Sequence, residues 1–340
     1  MVNVRTCCYF KRGGINNMRK ALVVGINDYP SASLKGCIND ANDVTRLLER
    51  NGDGSPNFDV RAVNDIPTKG QLLSLIDELF AGDSDIALFY YSGHGFINEL
   101  GGYLVTPDFQ SKYDMGVSMN DILVEANKSK CKNRIIILDC CHAGALGECP
   151  SIKDDATIIG QGVTILTASR NSESAVEIGG HGVFTNLLLA ALDGGAADLN
   201  GNVTPGSIYA YIDQALGEWE QRPMFKTNIT RFISLRKVEA QVPVEVLRRL
   251  TTYFPDPCQP HRLDPSYEYT NSPSVEHKYL EPYAIDENVR IFKDLQLMES
   301  VGLVIPIDEE HMYYAAMNST GCKLTPVGQH YWNLVHTKRL

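Results

Sequence analysis

Between residues 20 and 235, short apolar runs alternate with stretches whose apolar positions recur at helical spacing. The runs KALVVG (20–25), DVRAVN (59–64), DIALFYYSG (85–93), NRIIILDCC (133–141) and GVTILTAS (162–169) read as β-strands. Two are continuous apolar runs, the pattern of strands buried on both faces of a largely parallel sheet. Helices fall between them. Ile38, Ala41, Val44 and Leu48 share one face, and Leu72, Leu75, Ile76 and Leu79 share another behind Thr68, a residue suited to an N-cap. Phe184, Leu187, Leu188 and Ala191 repeat the spacing, as do Ile208, Tyr211, Ile212 and Ala215. The last of these helices starts at Thr204-Pro205, an N-cap followed by proline at the first helical position. Strand–helix alternation predicts an α/β fold, a three-layer sandwich around a mostly parallel central sheet.

The pattern changes near residue 240. Residues 254–283 are rich in Pro, Tyr, Ser and Asp and read as an extended connector. A helix carrying Ile291, Leu295 and Met298 follows, then GLVIP and HMYYAAM as strands, then a helix from Thr325-Pro326. Helix, two-stranded wing and closing helix resemble a small α+β winged-helix module. The expected organisation is a disordered lead-in over 1–18, the α/β domain over 19–240, a connector over 241–285 that wraps this domain, and the module over 286–340.

Charge narrows the function. The 340 residues carry 31 Lys and Arg against 41 Asp and Glu, a net charge of −10, which argues against nucleic acid as the main partner. Residues 241–340 hold nine basic against thirteen acidic residues, so the winged-helix resemblance points to protein docking or regulation instead of DNA. No run approaches the length of a membrane span, and the N-terminal residues contain no apolar stretch long enough for a secretory signal, so a cytoplasmic location is expected. Nine cysteines without CxxC pairs suggest neither a disulfide framework nor a zinc site.

The candidate chemistry lies past two strand ends, where open α/β sheets collect their functional groups. DIALFYY runs into Ser92-Gly93-His94-Gly95, and RIIIL runs into Asp139-Cys140-Cys141-His142-Ala143-Gly144. A cysteine attacks as thiolate, and a nearby imidazole both favours that state and protonates the leaving amine. YYSGHG followed by LDCCHAG resembles the metacaspase and bacterial caspase-like branch of the caspase clan. ALVVGINDYP…LKGCINDA, LTASRNSESAVE and HGVFTNLLLAAL support this in the same order. The 47-residue spacing from His94 to Cys141 is near the ~50 that marks caspases.

The resemblance implies a cysteine endopeptidase with Cys141 as nucleophile, His94 as acid–base, and the N–H groups of Gly95 and Cys141 as oxyanion hole. Cys140 is expected to be a packing residue, and His142 and His181 to be structural. Metacaspases are similar in having aspartate two residues before the nucleophile and in cutting after Arg or Lys. Asp139 is therefore expected to floor a pocket for a basic side chain, with Asp28 as its second wall and Glu173 as a weaker candidate. No cofactor is required by this reading. Calcium, which many metacaspases bind, would draw on Asp108, Asp121 and Glu148, although Asn120 stands where some relatives have aspartate. Protein substrates, a protein activator and a part in prokaryotic defence or cell suicide complete the expectation. An idle scaffold on the same fold, or a legumain-like or separase-like peptidase, are the alternatives.

Overall fold

The apolar runs do become the strands of one sheet. The computed structural model describes residues 18–98, 101–109, 116–140, 159–168, 177–178, 180–216, 223–231, 233–272 and 280–340. In chain order the first unit opens with β1 (Arg19–Gly25), α1 (Cys37–Glu49), β2 (Asp59–Asn64), α2 (Lys69–Phe80) and β3 (Ile86–Ser92). There follow β4 (Gly95–Asn98), β5 (Gly101–Leu104), β6 (Val117–Ser118), α3 (Met119–Lys128), β7 (Asn133–Asp139) and β8 (Val163–Thr167). Then come β9 (Glu177–Ile178), β10 (His181–Gly182), α4 (Val183–Ala190), β11 (Asn202–Val203), α5 (Pro205–Ala215), β12 (Met224–Asn228) and β13 (Arg236–Lys237). This unit runs to Val238 apart from residues 199–201, which belong to the second.

The central sheet has the order β12-β8-β7-β3-β1-β2. All its neighbours are parallel except β12, which pairs antiparallel with β8 at the edge. Successive side chains of a strand point to opposite faces, and the two cores follow from that. Leu22, Val24, Phe89, Tyr91, Ile136 and Leu138 pack under α2 and α3. Ala21, Val23, Leu88, Tyr90, Ile135 and Ile137 pack under α1, α4 and α5. The three-layer sandwich is therefore present. Local signals hold as well: Thr68 caps α2 by accepting the Gln71 N–H, and Thr204 and Ser207 form a reciprocal capping box on α5.

The second unit contains α6 (Val244–Leu247), α7 (Leu250–Tyr253), α8 (Asp286–Ser300), β14 (Val304–Pro306), α9 (Met312–Met317), β15 (Cys322–Leu324) and α10 (Pro326–His336). Two expectations need correction here. The stretch read as a connector is part of this unit's core: Leu247, Leu250, Phe254 and Leu263 are buried with Phe292, Leu295, Met298 and Trp332. The Trp332 indole N–H donates to Phe254 C=O at 2.6 Å, and buried Asn271 donates to the carbonyls of Pro265, Leu280 and Pro282. Proline-rich backbone that lacks a ladder has been organised by one amide side chain. The second correction concerns HMYYAAM, which is helix α9; the partner of β14 is β15. Met312, Ala315 and Ala316 are buried while Tyr313 and Tyr314 are exposed, a helical period that an alternating strand would not give.

Helix α1 rests directly on the end of β1. A Cβ added at Gly25 would lie 2.3 Å from Cys37 C=O and 2.8 Å from Ala41 Cβ. We expect Gly25→Ala to cost about 1–3 kcal/mol, as overpacking of a filled core does, measured by urea or thermal unfolding. An unchanged melting temperature would refute this close approach.

Candidate active site

The register of β3 against β7 sets Ser92 opposite Asp139. His94 and Cys141 each follow one member of that pair by two residues in the sequence. Gly93 N–H donates to Asp139 C=O at 3.3 Å, so the pairing continues one step past β3. Ile26 N–H donates to Ser92 C=O at 3.0 Å, which draws the loop after β1 to the same edge.

Two tyrosines hold the His94 backbone. The His94 N–H donates to the Tyr29 hydroxyl at 2.9 Å, and the Tyr91 hydroxyl lies 3.0 Å from His94 C=O and 2.7 Å from Val105 C=O. Both tyrosines are buried, and burial pushes both phenols above their ordinary range, so they remain neutral donors. Gly93 leaves them room: a Cβ there would lie 2.6 Å from each hydroxyl. The Tyr29 ring packs on the imidazole with centroids 4.5 Å apart. His94 Nε2 lies 2.6 Å from Ala32 C=O. A carbonyl only accepts, so Nε2 carries the proton and Nδ1 is left with its lone pair. The Ala32 loop is tied in turn by Asn27, whose amide donates to Lys35 C=O and accepts the Ile38 N–H.

Gly95 begins β4, and Val105 N–H donates to His94 C=O at 3.0 Å. That bond makes Gly95–Leu104 a pair that exchanges no ladder hydrogen bonds. The Gly95 N–H is accordingly left out of the β4–β5 ladder, as an oxyanion donor must be.

Beside His94 lies a buried acidic group. Asp139 accepts from the Thr185 hydroxyl at 2.6 Å, and Thr185 in turn is 2.6 Å from the Tyr90 hydroxyl. Asp40, in the first turn of α1, accepts from Ser92 Oγ at 3.0 Å and lies 2.8 Å from His181 Nδ1. The two carboxylates converge: a Cβ added at Gly182 would lie 2.8 Å from Asp139 Oδ2 and 3.6 Å from Asp40 Oδ2. Burial raises the Asp139 carboxyl to about 6, with the Asp40 charge adding to it. Burial also raises Asp40, against the hydrogen bonds from His181, Ser92 and Gly182 N–H. Among the described residues neither carboxylate is paired with a lysine or arginine.

Other expected residues fall differently. Asp28 is exposed in the loop after β1, its backbone N–H on Asp65; the carboxylate beside Asp139 is Asp40. Its signal was legible, since Asp40 is a charged residue among Cys37, Ala41 and Val44 on the buried side of α1. Cys140 is buried in the core. Cys141, Glu173 and Glu148 lie outside the described residues. Asp108 accepts from Lys69 N–H at the start of α2 and from Thr106, while Asp121 is exposed in the first turn of α3. Among the described residues no group of three acidic, histidine or cysteine side chains is placed to hold a metal ion. No helix among them is long and apolar enough to cross a membrane.

A family model described as the caspase domain matches residues 18–253. Metacaspase-1 of Cryptococcus neoformans is 33% identical over 170 residues, which are 44% of this chain and 37% of that protein. Metacaspase-1 of Mycosarcoma maydis is 26% identical over 216 residues, 56% of this chain and 54% of that protein. The chain thus spans about half the length, or less, of these curated relatives. The crystal structure of Caspase-1 from Spodoptera frugiperda matches with a TM-score of 0.46 at 16% identity, covering 66% of this chain and 92% of that one.

The raised Asp139 carboxyl has a consequence for stability. Below about pH 4 the group is protonated in both folded and unfolded chains. As pH rises through about 6, the folded protein must ionise a buried acid, and stability is lost. Asp139→Asn should therefore melt above the wild type at pH 8, by up to about 3 kcal/mol, with the gap closing near pH 4. A gap that does not change with pH would show that Asp139 ionises freely.

Proposed function

Because this chain belongs to the caspase-domain family of cysteine-type endopeptidases, we propose that it cuts protein substrates after arginine or lysine. Cys141 is the nucleophile and His94 its acid–base partner. The observation that carries the specificity is the convergence of two buried carboxylates, Asp139 and Asp40, on one point beside Gly182. Burying two acids that have no lysine or arginine partner among the described residues is costly; a substrate guanidinium or ammonium supplies the partner on binding.

The chemistry follows from the tautomer. With Nε2–H committed to Ala32 C=O, Nδ1 takes the proton of the Cys141 thiol. The thiolate attacks the scissile carbonyl carbon, and the oxyanion is held by the N–H groups of Gly95 and Cys141. Collapse of the tetrahedral intermediate breaks the C–N bond, and the leaving amine takes the proton from His94 Nδ1. Water, deprotonated by the same nitrogen, then cleaves the thioester and frees Cys141.

A protease of this kind needs control, and the second unit, with a core of its own, is our candidate for binding a protein activator or regulator. Its acidic balance disfavours nucleic acid. A role in prokaryotic defence or cell suicide, and a contribution from calcium, are carried by the resemblance.

Cys141→Ala and His94→Ala should each abolish cleavage while leaving the melting temperature within a few degrees of the wild type. A fluorogenic panel with Arg, Lys, Asp or Asn before the scissile bond, run with and without calcium, should show cleavage of the first two alone. Preference for Asp or Asn would replace this reading with another branch of the clan. Asp40→Asn should raise KM for the Arg substrate about tenfold or more, since losing one member of a desolvated charge pair is expensive; an unchanged KM would remove Asp40 from the pocket.

A further inference from the structure

His181, which the sequence marks only as a residue before a helix, faces carboxylates with both ring nitrogens. Nδ1 lies 2.8 Å from Asp40 Oδ1, and Nε2 lies 3.4 Å from Asp43 Oδ2. A neutral ring carries one N–H and leaves one of these contacts lone pair against anion. A protonated ring donates to both. The position is built in. β10 pairs with β9, with Ile178 opposite His181, and Gly180 C=O accepts from the Asn39 amide of α1 at 3.3 Å. Gly182 then brings the chain against Asp40 and Asp139.

Among the described side chains, the charged and titratable groups around the ring come from three elements. Helix α1 brings Asp40, Asp43 and Arg46, the last bonded to the other oxygen of Asp43. Asp139 of β7 and Tyr90 of β3 are joined through Thr185 of α4, and α4 has no titratable residue of its own. Thus the basic group bonded to Asp40 among the described residues is an imidazole, a side-chain type that exists in neutral and protonated forms.

We propose that His181 is a specificity-determining residue that makes the preference for a basic substrate side chain depend on pH. Once protonated, it places a positive charge against Asp40 and competes with the substrate's arginine or lysine for that carboxylate. When neutral, it donates one hydrogen bond that orients Asp40 and leaves its negative charge for the substrate. The inference rests on reading Asp40 and Asp139 as the pocket for that side chain.

The test compares two peptide substrates that differ only in arginine or citrulline, its uncharged isostere, before the scissile bond. The ratio of their kcat/KM values cancels the titration of Cys141 and His94, which both substrates share. In the full-length protein the ratio should fall roughly fivefold or more between pH 8.5 and 6. His181→Asn keeps a donor near the position of Nδ1 but does not titrate, so its ratio should fall only about twofold, the share left to Asp139. His181→Gln serves as the second variant should the first melt more than a few degrees low. The affinity of benzamidine for a Cys141→Ala protein, which needs no turnover, should show the same contrast. Parallel pH profiles in wild type and both variants would overturn the inference while leaving the acidic pocket standing. A wild-type ratio near one at pH 8.5 would sink the pocket, and the role of His181 with it.

Discussion

Strands β3 and β7 are buried on both faces, and their register cannot slip. A shift of one residue would exchange Phe89 and Tyr91, which belong to one core, with Leu88 and Tyr90, which belong to the other. The two cores therefore hold Ser92 opposite Asp139. From that pair the described remainder is laid out: His94 just beyond the end of β3, and the loop after β1 drawn in by Ser92 C=O. The hydrophobic effect thus sets the positions of groups that are themselves polar.

Glycine lets these groups approach. At Gly25 helix α1 touches strand β1, which brings Asp40 to the strand ends; at Gly93 two tyrosine hydroxyls reach the backbone; at Gly182 the chain passes between two carboxylates. A β-carbon at any of the three would meet a neighbouring atom closer than packing allows. The polar atoms gathered there are expensive to bury. Among the described residues they are compensated by the hydroxyls of Ser92 and Thr185, by His181 and by the backbone N–H groups of Gly182 and Thr185. On the reading proposed above, the cation that completes their pairing is the substrate's own side chain.

The second unit obeys the same economy of local and distant contacts. Its helices α8 and α10 have apolar faces visible in the chain, yet they close on residues 242–263, where local pattern is weak. Asn271 supplies in one side chain the donors and acceptor that a proline-rich loop lacks. Tyr313 and Tyr314 are turned outward by the period of α9, so two consecutive aromatics that suggested a strand are surface residues.

Local periodicity and capping determined the α/β alternation, the five parallel strands and the caps at Thr68 and Thr204. Each of these depends on neighbours a few positions apart, and the fully apolar strands left no other place than the middle of a sheet. The motifs at the ends of β3 and β7 likewise made the family legible before any fold was known. Edge strand β12 was not legible, because Met224–Asn228 is half exposed and partly polar and is a strand only through its partner β8. Tyr29, Ala32 and His181 escaped for the same reason on a larger scale, and Asp40, though its place on the buried side of α1 was readable, could not be assigned its partners. Their roles lie in contacts across 62 residues from Ala32 to His94, and across 141 from Asp40 to His181. No local spacing encodes such contacts; they exist only once helix α1 and strand β10 have packed against the strand ends.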